Sequence, residues 1–264
     1  TDADVAWVAA SEYVWINGLV IQGPRWRVSE LGGTGGGSGV DCISWSNSGG
    51  NGCRATNCVL INGTHCGLKE QGHGGTNILV EANVGIYNGM TGLDHGIYFP
   101  CEDSTVNGNI FTASAGYGMH TYAGSQPDPN DPNGPWVRHH PSGLLITRNI
   151  SLQDPISGRQ NSQSLLTGLN NEMYNNVLVG GTVGFWFFGG EGGTGNKVYN
   201  NIFAHNSSTS FGWNGWDQET NEADYNAFYP GDANDEGANS ITGDPQFNGD
   251  ANDANDLDFS LDAN

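Results

Sequence analysis

Three side chains able to move protons, Lys69, Tyr98 and His120, occupy one position in a short segment that recurs along the chain. The segments read GLKEQ at 67–71, GIYFPC at 96–101, GMHTYA at 118–123 and GFWFFG at 184–189. GVDCIS at 39–44 follows the same pattern, and SLLTG at 164–168 holds the place without the leading glycine. The residue after each glycine is apolar: Val40, Leu68, Ile97, Met119 and Phe185. Side chains alternate between faces along a strand, so the apolar residue turns inward and the next one outward. The outward column then reads Asp41, Lys69, Tyr98, His120, Leu166 and Trp186. Cys66, His95 and Tyr117 stand just before the glycine, with His65 and Asp94 one residue earlier. An amine, a phenol and imidazoles held together are the groups of general acid–base chemistry, in which one takes a proton and another returns one. Lys69, Tyr98, His120 and His95 are therefore the candidate catalytic residues. Six of the seven histidines fall between 65 and 140, and the long segment SQPDPNDPNGPWVRHHPSG at 125–143 carries two of them. Loops of that length are commonly functional. Folded over the neighbouring sheet, this one would bring Trp136, Arg138, His139 and His140 to the column.

Such a column requires strands stacked in register, and a second pattern supplies them. Seven asparagines head similar apolar runs: Asn57 (NCVLI), Asn83 (NVGIY), Asn109 (NIFTA), Asn149 (NISLQ), Asn176 (NVLVG), Asn201 (NIFAH) and Asn226 (NAFYP). Their intervals are 26, 26, 40, 27, 25 and 25 residues, and Gly18 fits the same slot 39 residues before Asn57. A repeat of this length with short strands and no helical pattern describes a solenoid of stacked coils. The fold expected is all-β, a parallel β-helix with coils of about 25 residues. Coils stack about 4.8 Å apart, so a buried Asn can bond its amide to the Asn above and below. The residues after each Asn (Val59, Val84, Ile110, Ile150, Val177 and Ile202) are expected to form aliphatic stacks inside the coil. The chain reads as one domain over 1–264, without a visible N-terminal cap, interrupted by loop insertions at about 22–55 and 123–142.

Lys and Arg total 8 against 28 Asp and Glu, a formal charge of −20. That balance excludes nucleic acid and anionic membranes as partners and suits a protein in salty or calcium-containing water outside the cell. No run of about 18 apolar residues exists to cross a membrane. The 42 glycines fit a fold with three bends per coil. The GGTGGGSG run at 32–39 lacks the Lys-Ser/Thr and helix of a phosphate loop. All five cysteines (42, 53, 58, 66 and 101) lie in the first 101 residues. Cys58 sits at a stack position and is expected as a buried thiol, with one or two disulfides among the others.

The segments DHGIYF (94–99), GYGMHTYA (116–123), VYNNIFAHN (198–206) and ADYNAFYP (223–230), with the tail TGDPQFN…DLDFSLDAN, resemble the right-handed parallel β-helix proteins of the pectate-lyase-like superfamily. The resemblance covers nearly the whole chain and implies a groove along one sheet that acts on polysaccharide. The leading functional expectation is a secreted or cell-surface polysaccharide lyase. β-Elimination removes the C5 proton of a uronic acid, neutralises its carboxylate and protonates the leaving oxygen. Lys69 or His120 would be the base, Tyr98 the proton donor, and Arg138 or a bound calcium ion the neutraliser. Trp186 and Tyr122 would stack on sugar rings, with His139 and Asp94 also lining the substrate. Calcium is the one cofactor expected, since PDPNDPNGP (127–135) and GDANDANDLD (249–258) are rich in oxygen ligands, although neither has EF-hand spacing. His139 and His140 are adjacent and cannot both readily face one ion from a strand, so the metal ligands are left unassigned. A glycoside hydrolase using two of Asp41, Glu70, Asp94 and Glu102 is an alternative. A non-catalytic surface or adhesion module, self-associating through open β-helix ends, is the other.

Overall fold

The computed structural model describes residues 7–8, 12–23, 41–45, 50–70, 75–89, 94–121, 125–128, 131–138, 141–152, 162–166, 168–188, 193–214, 219–229, 237–243, 247–248 and 258–261. Among these residues there is no helix. The chain winds as a parallel β-solenoid whose coils contribute one strand each to three sheets. Sheet A runs from Trp7–Val8 through Ile43–Trp45, Cys66–Glu70, His95–Tyr98, Met119–His120, Ser162–Leu166 and Val183–Phe188 to Thr209–Asn214. Sheet B stacks eight strands from Trp15–Asn17 to Glu222–Asp224, and sheet C nine from Val20–Gln22 to Ile241–Thr242. Every pairing within these three sheets is parallel. Two antiparallel hairpins stand apart, Ser125–Asp128 with Asp131–Arg138 and Phe247–Asn248 with Asp258–Leu261.

The corner between sheets B and C holds an asparagine ladder. Asn83 Nδ2 donates to Asn109 Oδ1 at 2.9 Å, Asn109 to Asn149 at 2.9 Å, Asn149 to Asn176 at 3.0 Å, Asn176 to Asn201 at 2.9 Å and Asn201 to Asn226 at 3.1 Å. Each Oδ1 also accepts the backbone N–H of the Asn one coil before it. The second Nδ2 proton reaches a carbonyl of an earlier coil, such as Val106 for Asn149. All six side chains are buried, so the bonds satisfy groups that water cannot reach.

The first rung differs from the sequence expectation. Val59 pairs with Val84, which sets Cys58, not Asn57, opposite Asn83. Cys58 N–H donates to Asn83 Oδ1. Asn57 is exposed and belongs with Gly18, Ala82, Gly108, Arg148, Asn175, Asn200 and Tyr225, the residues at this bend of successive coils, each with φ between +54° and +69°. Left-handed backbone costs a non-glycine residue roughly 1–2 kcal/mol. Ala82, Arg148 and Tyr225 accept it because the ladder beside them fixes the bend.

The inward face is also displaced by one residue from expectation. Val59, Val84, Ile110, Ile150, Val177 and Ile202 do stack in register, but they are half-buried on the outer side of sheet C. The bend between sheets resets the alternation, and the interior column is Leu60, Gly85, Phe111, Ser151, Leu178, Phe203 and Phe228. Sheet B contributes Ala55, Val80, Val106, Ile146, Met173 and Val198 to the same core. The cysteines are all buried and free, so no disulfide forms. Four of them pack in this core, where the Cys42 and Cys58 thiols donate to nearby carbonyl oxygens. The first expected insertion contains regular strands, Ile43–Trp45 and the start of Arg54–Thr56, so the extra length there lies between Gln22 and Ile43.

Asn149→Ala would strip two donors of their acceptor and a carbonyl of its donor. A loss of about 3 kcal/mol is expected, from the cost of buried unpaired polar groups. Asn57→Gly should change stability by less than about 0.5 kcal/mol, since glycine tolerates the bend. Urea unfolding of the two variants checks both values, and equal losses would contradict the ladder register.

Candidate functional site

The candidate residues lie on sheet A, and its register joins them. Lys69 is opposite Tyr98, and Tyr98 opposite His120. The column continues to Leu165 and Trp186 on one side and to Ser44 and Trp7 on the other. Asp41 and Leu166 therefore leave the column. Ile43, not Val40, is the inward residue beside Leu68, because three residues more than the glycine pattern implies precede that strand.

His95 and His120 make direct contact. His120 Nδ1 lies 2.7 Å from His95 Nε2, and the Tyr117 backbone N–H donates to His95 Nδ1 at 3.1 Å. These bonds fix both tautomers. His95 Nδ1 must be the unprotonated nitrogen, so Nε2 carries the hydrogen and donates to His120 Nδ1. His120 then carries its own hydrogen on Nε2. The two rings meet edge to face at 4.3 Å, and His120 also stands edge-on to Tyr98 at 5.0 Å. Tyr117 closes the other side, 4.7 Å from His120 and 5.3 Å from His95.

Both imidazoles are buried, with Lys69 and Tyr98 half-buried beside them. Burial pushes His120 down to about 3. His95 is held well below the usual histidine range, first by burial and then by His120, His65 and Lys69. Loss of solvation disfavours the charged ring, and a second imidazole or an ammonium nearby disfavours it further. The pair is neutral at pH 7, and His120 presents an N–H donor rather than a free lone pair.

A second cluster adjoins it. His65 sits in the bend before Cys66–Glu70, where Nδ1 lies 2.9 Å from Asp41 Oδ1 and Nε2 lies 3.7 Å from Asp94 Oδ1. Asp41 Oδ1 also accepts the Cys66 backbone N–H at 3.0 Å. Asp41 and Asp94 are buried, as is Cys66. The Cys66 thiol is raised well above its ordinary range by burial first and by Asp41 next. Asp41, which leaves the outward column, and Cys66 thus acquire a place that strand alternation did not suggest. The signal available in sequence was the pairing of His65 with Asp94 one coil apart.

The remaining candidates are less closely joined to this centre. Trp186 is half-buried two strands beyond His120, and its ring covers Gly212, where an added Cβ would fall 2.4 Å from Cε3. Arg138 ends the 125–138 hairpin opposite Ser125. Tyr122, His139 and His140 lie outside the described residues. Glu70 is buried, and Glu102 forms a bridge between coils with Thr76 and Ser142. No protein-family model, curated protein or solved structure matches the chain.

The histidine pair carries a pH signature. Unfolded histidines take up protons near pH 6.5, whereas the folded pair resists until far lower. The unfolded state therefore binds more protons below pH 6.5, and stability falls as pH drops towards 3. The loss should reach about 2 kcal/mol for His120 by pH 5, with His95 acting in the same direction, from the same linkage. His120→Phe should give a visibly shallower slope of unfolding free energy between pH 7 and 5. An unchanged slope would show that the rings are not buried neutral.

Proposed function

We propose that this chain is a secreted or cell-surface polysaccharide lyase of the pectate-lyase-like, right-handed β-helix class. It would cleave a uronic-acid-containing glycan by β-elimination on the outer face of sheet A. The observation that carries the reading is the neutral His95–His120 pair, whose tautomers aim donors in one direction beside Tyr98 and Lys69. Lysine, tyrosine and histidine in adjacent coils supply the three functions that elimination needs within a span of two strand spacings, about 10 Å.

In this reading the Lys69 amine removes the C5 proton. The electron pair left behind forms the C4–C5 double bond, and the C4–O bond breaks as Tyr98 protonates the departing oxygen. Negative charge builds on the uronate carboxylate in the transition state. His120 Nε2 is buried, so in this reading its N–H stabilises that charge only once bound substrate reaches it, where a donor fixed in a dry site is worth more than one in water. A calcium ion between substrate and protein would offset the repulsion that a chain of formal charge −20 exerts on an anionic glycan. The tautomer argument favours Lys69 over His120 as base, since His120 has no free lone pair to accept a proton.

The hydrolase alternative, retaining or inverting, needs two carboxylates with open space for the scissile bond between them. Asp41 and Asp94 face opposite nitrogens of the His65 ring, which fills that space. This geometry favours elimination.

The test is near-ultraviolet absorbance of the conjugated double bond during incubation with a panel of uronic-acid polysaccharides, with and without calcium. Lys69→Ala and Tyr98→Phe should each lower the rate by about 10²–10⁴-fold, the usual worth of an acid or base. A lysine base works through its neutral amine, so the rate should climb from neutral towards alkaline pH. New reducing ends without absorbance would indicate hydrolysis. A flat result in both assays across the panel would overturn catalysis on these glycans and leave a binding or adhesion module.

A further inference from the structure

We infer that Asp41, His65 and Cys66 form a binding site for a zinc-class divalent cation, with Asp94 orienting His65 as a positioning carboxylate. One donor atom from each of the three residues lies within 4.8 Å of the others, and the His65 Nδ1 to Asp41 Oδ1 distance is 2.9 Å. Ligand atoms around a tetrahedral zinc ion stand about 3.3–3.6 Å apart, given metal bonds near 2.0–2.3 Å. Side-chain rotation alone spans the difference.

Position in the coil makes the set accessible to one ion. His65 and Cys66 are consecutive, and in a continuous strand their side chains would diverge. His65 instead occupies the bend at which the strand begins, so both can face Asp41 in the coil before. Asp94 in the following coil faces the other imidazole nitrogen at 3.7 Å. A metal-bound histidine characteristically turns its second N–H to a carboxylate, and Asp94 is placed for that role.

Cys66 is also unlike the other thiols. Cys42, Cys53, Cys58 and Cys101 belong to the apolar core, whereas Cys66, equally buried, does not. It lies instead among two buried carboxylates and an imidazole. Grouping such negative charge away from water is costly without a compensating cation. The mixture of oxygen, nitrogen and sulfur selects zinc, cobalt or nickel over calcium and magnesium. Three protein ligands leave a fourth position for water. The site adjoins the histidine pair but does not depend on the lyase reading, since its test reads binding and not turnover.

The experiment is titration of chelator-treated, reduced protein with Co(II), followed by displacement with Zn(II). One equivalent should bind and give a thiolate-to-cobalt charge-transfer band in the near ultraviolet. Cys66→Ser should abolish the band while leaving the other four thiols in place. Asp94→Asn should keep the band and weaken affinity about 10–100-fold, the usual effect of losing an outer carboxylate. No band with the native protein, or one that survives Cys66→Ser, overturns the site. Because Cys66→Ser could fail to fold, thermal unfolding of the native protein provides an independent reading. The midpoint should rise with Zn(II) and not with Mg(II), and a flat midpoint overturns the proposal.

Discussion

The structure depends on one constraint: every coil must leave its buried bends hydrogen-bonded to the next. A parallel sheet satisfies its own backbone, but the corners between sheets interrupt the ladder and leave polar groups inside. The six stacked asparagines resolve this between sheets B and C: from Asn83 to Asn201 each Nδ2 donates one hydrogen to the Oδ1 of the next Asn and the other to a backbone carbonyl of an earlier coil. A second set, Asn171, Asn196 and Asn221, does the same before sheet B, where Asn196 Nδ2 donates to Asn221 at 2.9 Å. Because these bonds run from coil to coil, each coil fixes the height and rotation of its neighbour. Side chains on sheet A then meet at a separation set by the corners rather than by their own contacts.

That indirect placement explains how polar groups are held together at the leading edge of sheet A. His65, Cys66, Asp94, His95 and Tyr117 all lie where the chain leaves a bend and enters a strand. Here strand alternation is not yet established, so neighbouring residues can turn to one side and form clusters that a regular strand forbids. The cost of burying the imidazole pair is met within its own cluster. His95 and His120 share one proton-donating chain that starts at the Tyr117 amide. His65 stands between two carboxylates, one of which also receives the Cys66 amide. The first cluster stays neutral while the second concentrates charge, and they stand side by side on consecutive coils.

Much of this was legible in sequence where spacing carried it. The asparagine intervals gave the coil length, and the glycine-led segments gave the Lys69–Tyr98–His120 register, which strand pairing reproduces. Errors arose at the first repeats, where spacing is irregular. Asn57 and Val40 each matched the pattern by letter, yet Cys58 and Ile43 hold those positions in the stack. The inward face of sheet C was missed for a related reason. A left-handed residue precedes each ladder Asn, and that turn changes which side of the next strand faces the core.

The sequence by itself determined a solenoid of short parallel strands, its repeat length and the set of residues in each column, because stacking makes periodicity and contact the same thing. Only the tertiary structure decided which face of the sheet C strands was buried, that none of the five thiols is in a disulfide, and that Asp41 joins His65 and Cys66. Those outcomes depend on bend geometry and on side-chain rotation at the corners. Local residue type constrains such features weakly, and they are settled only when neighbouring coils close around them.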